Sequence, residues 1–261
     1  DVSFVARVGD DLLGKEGIKR LNKERINTSF VFRDSEVPTG VAFIVVDDNA
    51  ENSIVVASGA NARLSPEDIE TVNNEISSAD IVLVQLESPI ESVYASLKKA
   101  HEVGSTVILN PAPAQELAQH IFQYIDIITP NIVEAEMLTG IKVTDVESLH
   151  TIVNRFFDFG IKNVIITLGS KGYYAGFQNI MEIIPAYKVT PIDTTGAGDV
   201  FSGSLAAFLA EGMTIESAAR MANAAASISV TRMGAQNAAP KRVEIEKYIA
   251  SYKAAESEVL N

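Results

Sequence analysis

The sequence predicts an α/β fold, a three-layer sandwich with a mainly parallel central sheet flanked by helices, and three observations carry that expectation. Short runs rich in Val and Ile recur at 3–8, 80–86, 105–109, 125–129 and 163–168. Amphipathic stretches at 10–25, 65–77, 90–103, 115–122, 131–139 and 146–159 separate them. Strands this short and rich in Val and Ile, joined by helices, are those of a parallel sheet covered on both faces. The right-handed crossover rule then places helices on both sides of the sheet.

Taken in order, the first run is already strand-like at Asp1-Val2-Ser3-Phe4-Val5. Residues 39–46 and 52–57 flank Asp47-Asp48-Asn49-Ala50-Glu51, a hairpin signature, so a small β lid is expected over about 38–61. Ser65-Pro66-Glu67-Asp68 opens a helix with an N-cap serine, proline at the first helical position and acids in the first turn. Residues 172–177 and 180–184 read as an antiparallel pair. The C-terminal third turns helical and Ala-rich at 197–211, 214–230 and 241–254. No repeat, low-complexity tract or disordered linker interrupts the chain, so 1–261 reads as one domain with one appendage.

Composition narrows the chemistry. The 261 residues are 47% apolar and 21% charged, enough for a substantial core without metals or disulfides. There is no Cys, which excludes a disulfide framework, a thiolate zinc site and a cysteine nucleophile. His101, His120 and His150 are scattered, and none pairs with another at metal-ligand spacing. No serine sits in a G-x-S-x-G elbow, and no G-x-G-x-x-G follows the first strand, which argues against a dinucleotide dehydrogenase. A formal net charge of −13 disfavours nucleic acid and anionic membrane as partners. Apolar runs are too short to span a bilayer and no signal peptide is visible, so a cytoplasmic enzyme is expected.

The most informative stretch is Asp193-Thr194-Thr195-Gly196-Ala197-Gly198-Asp199-Val200-Phe201-Ser202-Gly203. A Gly-rich turn here feeds a helix, whose unpaired first-turn N–H groups and dipole favour an anion. Asp199 then sits where an anion would bind, an expensive place for a carboxylate unless it takes a proton. Phosphoryl transfer needs that pair: donors for the transferring group and a base for the attacking hydroxyl. A tight turn with an acid favouring the helix dipole would explain the glycines equally well taken alone.

The full string resembles the D-T-x-G-A-G-D signature of the ribokinase-type (pfkB) carbohydrate kinase family. The likeness runs from Arg7-Val8-Gly9-Asp10-Asp11 to Thr231-Arg232-Met233-Gly234-Ala235-Gln236. Supporting stretches are Val37-Pro38-Thr39-Gly40-Val41-Ala42, Gly59-Ala60-Asn61-Ala62, Gln85-Leu86-Glu87-Ser88-Pro89, Leu109-Asn110-Pro111-Ala112-Pro113-Ala114 and Ile128-Thr129-Pro130-Asn131. The resemblance implies transfer of the ATP γ-phosphoryl to O5 of D-ribose. Asp199 would be the general base, also touching the sugar, with N–H groups of the Gly196, Ala197, Gly198 and Asp199 turn as the anion hole. Asn131-Ile132-Val133-Glu134 matches the family's N-x-x-E element, which positions Mg²⁺ and the ATP phosphates. Glu134 would act through metal-bound water, although a capped helix start explains the same spacing.

Further site residues follow from the same likeness. Thr167, Leu168, Gly169, Ser170, Lys171 and Gly172 form the implied nucleotide turn, Asn223 an adenine-side contact, and Glu87 a sugar-contacting acid. K⁺ ligands map to Asp193, Thr195, Ser229, Arg232, Gly234 and Ala238, mostly through backbone carbonyls. Members of the family often carry Ser at the last of these, and Ala238 lacks that hydroxyl. Family members begin about 50 residues further upstream, so an aspartate for the sugar hydroxyls, half of the lid and a G-G-K-G-A-N sugar motif are expected before Asp1. The resemblance also implies a homodimer formed through the lid. Two other readings share these residues: a kinase of the same fold acting on another sugar or nucleoside, and a nucleotide-binding relative without sugar kinase activity.

Overall fold

The computed structural model describes residues 1–46, 52–177 and 180–259. These divide into two compact units, one of residues 1–79 and 84–105, the other of 80–83 and 106–261. In the first unit, β1 (Ala6–Gly9) pairs in parallel with β2 (Val31–Asp34) across α1 (Leu12–Lys23). The side chain of Asp11 caps α1, accepting from Gly14 N at 2.8 Å. Its carboxylate also accepts from Thr39 N at 2.8 Å and Thr39 Oγ1 at 2.7 Å, which ties the helix start to the root of the hairpin β3 (Val41–Val46) and β4 (Asn52–Ala57). At that root Gly59 holds φ +53°, and a Cβ there would sit 2.7 Å from Gly40 N, so the two hairpin legs meet backbone to backbone. The expected hairpin is present, and its tip, 47–51, lies outside the described residues.

The expected helix over 65–77 is two helices, α2 (Pro66–Thr71) and α3 (Asn73–Ser78). Ser65 and Asp68 form a capping box at its start, as the sequence signals. Val72 is buried at that break, with Ile69 and Ile76 buried on either side of it, and both helices pack on α4 (Ile90–Val103).

The second unit is built on a six-stranded sheet of order β10-β9-β8-β7-β6-β5. Its strands are β5 (Ile81–Val84), β6 (Thr106–Leu109), β7 (Ile127–Ile128), β8 (Asn163–Thr167), β9 (Tyr173–Phe177) and β10 (Ile180–Ile184). β6, β7 and β8 run parallel, whereas β9 and β10 add antiparallel at one side. On one face α5 (Ile132–Thr139) and α6 (Val146–Asp158) cover β8 and β9. Val153 of α6 presses so closely on Gly176 that a Cβ there would lie 2.5 Å from Val153 Cγ1. On the other face Ile165, Tyr173, Ala175 and Phe177 join the core beneath α7 (Ala197–Ala210), α8 (Ile215–Ser229) and α9 (Arg242–Val259). Side chains alternate between the two faces along β9 as the pleat requires, and helix, sheet and helix make the three layers expected.

Three further elements differ from expectation. The stretch 115–122 is no α-helix; a 3₁₀ segment Gln119–Tyr124 buries Ile121 and Phe122. Its apolar residues fall within a single turn, too few to hold a longer helix against the entropy of ordering it. β1 starts at Ala6 rather than residue 3, and Ser3 contributes only an isolated bridge to Asn27. β2 went unpredicted because Val31-Phe32-Arg33-Asp34 is short and half charged.

Candidate active site

The predicted catalytic, nucleotide and metal residues all fall in the second unit. Gly196 is the N-cap in the left-handed region at φ +74°, and no side chain caps the helix. A Cβ on Gly196 would lie 3.7 Å from Asp199 Oδ2, so the carboxylate sits back over the turn that glycine permits. Nothing stands within 4 Å of the Cβ position of Gly198, which leaves open space above the first-turn amides. Ala197 N reaches back to Thr194 O at 3.3 Å, within the turn that leads to Gly198 and Asp199. Both residues are exposed. Asp199 opens onto a groove of about 430 Å³ that runs along α7 past Gly203 and Ala207 to Phe208 and Arg242.

Beside it, β7 is followed by Thr129-Pro130-Asn131 and α5 begins. Asn131 Oδ1 accepts from Glu134 N at 2.9 Å, while the Glu134 carboxylate accepts from Asn131 N and Nδ2, both at 2.8 Å. This reciprocal cap is the N-x-x-E element made rigid. Glu134 is only 5% exposed, and burial pushes its carboxyl above the usual carboxylate range; the Asn131 N–H opposes this and the Asp199 charge adds to it. Two carboxylates that feel each other this way fit a divalent cation, which relieves their repulsion. Asn131 and Glu134 are thus the residues able to hold Mg²⁺, with the open α7 amides for the phosphate it accompanies.

The predicted nucleotide turn follows β8. Gly169–Lys171 make a 3₁₀ turn closed by Leu168 N to Gly172 O at 2.8 Å. Thr167 N donates to Pro130 O at 2.8 Å, which binds this turn to the Asn131 element. Gly172 lies against the carbonyl of Ile184 and Ala186 N, and Asn223 Nδ2 donates to Pro185 O at 2.8 Å. Asn223 is 5% exposed and its amide is engaged with this strap.

Asp193 joins two loops: Oδ1 accepts from Thr195 N and Oδ2 from Gly234 N, each at 2.9 Å. Those amides hold its carboxyl below the usual range. Of the other residues mapped to K⁺, Ser229 and Ala238 are buried, Ser229 O accepts from Arg232 N at 3.0 Å, and the Arg232 guanidinium pairs with Glu244 at 2.5 Å. Glu87 is the exception to the clustering: it lies exposed in the first unit, after β5. Sequence reasoning missed Thr129 and Ser202, whose hydroxyls meet in the interior, since a pairing across 73 residues leaves no local signal.

The model of the pfkB family carbohydrate kinases matches residues 1–242. A ribokinase of Haemophilus influenzae is 42% identical over 248 residues, spanning 95% of this chain and 81% of its own. The ribokinase structure from Thermotoga maritima superposes with a TM-score of 0.86 at 40% identity, covering 95% of this chain and 81% of that one. That of Arabidopsis thaliana ribokinase, complexed with ribose and ATP, gives 0.85 at 32% identity and covers 94% and 81%.

Proposed function

The chain belongs to the pfkB family of carbohydrate kinases, and on that premise we propose that it transfers the γ-phosphoryl group of ATP to O5 of D-ribose, with Asp199 as general base. The observation that carries the reading is the exposed Asp199 carboxylate on the uncapped N-terminus of α7, with Gly198 open beside it and Glu134 near enough to feel its charge. Asp199 takes the proton of the attacking hydroxyl as the new P–O bond forms, and ADP leaves with the electron pair of the broken bond. The N–H groups of Gly198 and Asp199 hold the charge on the transferring group. Asn131 and Glu134 hold Mg²⁺ through its hydration shell, and the ion, when bound, neutralises charge on the β- and γ-phosphates. The turn Thr167–Gly172 lies along the nucleotide, and Glu87 contacts the sugar.

Two finer features belong to the same proposal. Asp193, Thr195, Ser229, Arg232, Gly234 and Ala238 would hold K⁺, mostly through backbone carbonyls, and the ion would supply positive charge for the phosphates. The chain forms a homodimer through the β3–β4 hairpin, whose Phe43, Val55 and Val56 are 63%, 63% and 65% exposed.

ADP release with Mg-ATP, K⁺ and D-ribose tests the reading. Turnover should depend on ribose, and Asp199→Asn should lower kcat by roughly 10²–10⁴ with ATP binding retained. Ribose-independent ADP release, or an Asp199→Asn variant as active as wild type, would overturn it.

A further inference from the structure

Among the described residues, one buried contact between two side chains goes unused by the proposed chemistry. Thr129 and Ser202 are each 3% exposed, and their hydroxyl oxygens lie 3.1 Å apart. Thr129 follows β7 directly, two residues before Asn131. Its N–H is fixed to Leu109 O at 2.9 Å on β6, and the Pro130 carbonyl beside it receives Thr167 N from the nucleotide turn. Ser202 lies on α7, one turn beyond Asp199. The pair therefore joins the strand that delivers Asn131 and Glu134 to the helix that delivers Asp199.

Chemistry makes this contact directional in a way that apolar packing is not. A buried hydroxyl left alone is costly, so each oxygen holds the other at hydrogen-bonding distance. Sliding α7 along the sheet would break the pair; a Val–Ala contact at the same place would tolerate the shift. The separation of Glu134 from Asp199 is what such sliding would change.

We propose that Thr129 and Ser202 are a buried positioning pair that sets the separation of the Asn131–Glu134 element from Asp199, and so aligns Mg-ATP with the base. The inference rests on the kinase reading above. Thr129→Val, Ser202→Ala and the double variant are compared in ribose-dependent turnover as Mg²⁺ is varied, with melting followed alongside. Each single change should raise the Mg²⁺ needed for half-maximal rate and lower kcat, by about tenfold each, because misplacement of a reacting group is amplified in rate. The double variant should be no worse than the poorer single, as expected when one contact is removed twice. Thr129→Ser, which keeps the hydroxyl, should recover most of the loss.

Kinetic constants within about twofold of wild type, with only the melting temperature lowered, would overturn the proposal, as would losses that multiply in the double variant. Wild-type turnover is measured first. Its absence would sink the kinase reading itself, and the pair would then be judged on the Mg²⁺ dependence of ATP binding by calorimetry. There a weakened dependence in Thr129→Val supports it and an unchanged one overturns it.

Discussion

At Gly172 the backbone holds φ +96°, and any Cβ would collide with the carbonyl of Ile184. Both constraints act on one residue, so Gly172→Ala should destabilise the protein by about 2–4 kcal/mol in denaturant unfolding. It should also raise the KM for ATP more than that for ribose, since the turn it closes belongs to the nucleotide side. Asn223 acts one step further out, its amide holding the Pro185 carbonyl of the strap that Gly172 abuts. Asn223→Leu should therefore raise the KM for ATP while leaving Asp199-dependent proton transfer intact, seen as an unchanged pH profile of kcat. Residues of this kind differ in how far sequence discloses them. Asn131 and Glu134 are legible because a capping box is written into four consecutive letters. The engagement of Asn223 is not, because its partner lies 38 residues away.

Among the elements, α1 is fixed at its start by Asp11, which also holds Thr39 at the hairpin root. The backbone N–H groups of Gly14 and Thr39, helped by the Thr39 hydroxyl, lower its carboxyl from the ordinary 3.8 to about 2. For a carboxyl depressed on folding, the stabilisation is complete above 3.8 and is lost as pH falls toward 2. The stability gap between wild type and Asp11→Asn should accordingly be widest at neutral pH and close over that acid interval. A gap independent of pH would mean that the cap contributes through packing alone. Most elements could be read in advance because Val/Ile runs and capping residues encode them locally. β2 could not, since its strand character comes from pairing with β1 and not from Val31-Phe32-Arg33-Asp34 itself. Residues 115–122 misled for the opposite reason: a helical spacing of apolar side chains also suits a 3₁₀ turn laid on the core.

On the scale of the whole molecule, the exposed apolar hairpin is the feature that needs a cover. Phe43→Lys should shift sedimentation from dimer to monomer if the hairpin is the contact, and leave it unchanged if the hairpin only shields the sugar. The Ala-rich seam between α7 and α8 behaves differently. Ala218, Ala219, Ala222, Ala224 and Ala225 are all fully buried, so little can change there without separating the helix that carries Asp199 from its support. The proposed base, magnesium element and nucleotide turn all belong to the second unit, whereas Glu87 and the hairpin belong to the first. Substitutions at Glu87 or in the hairpin can therefore alter the acceptor side without touching the residues proposed to handle the phosphoryl donor.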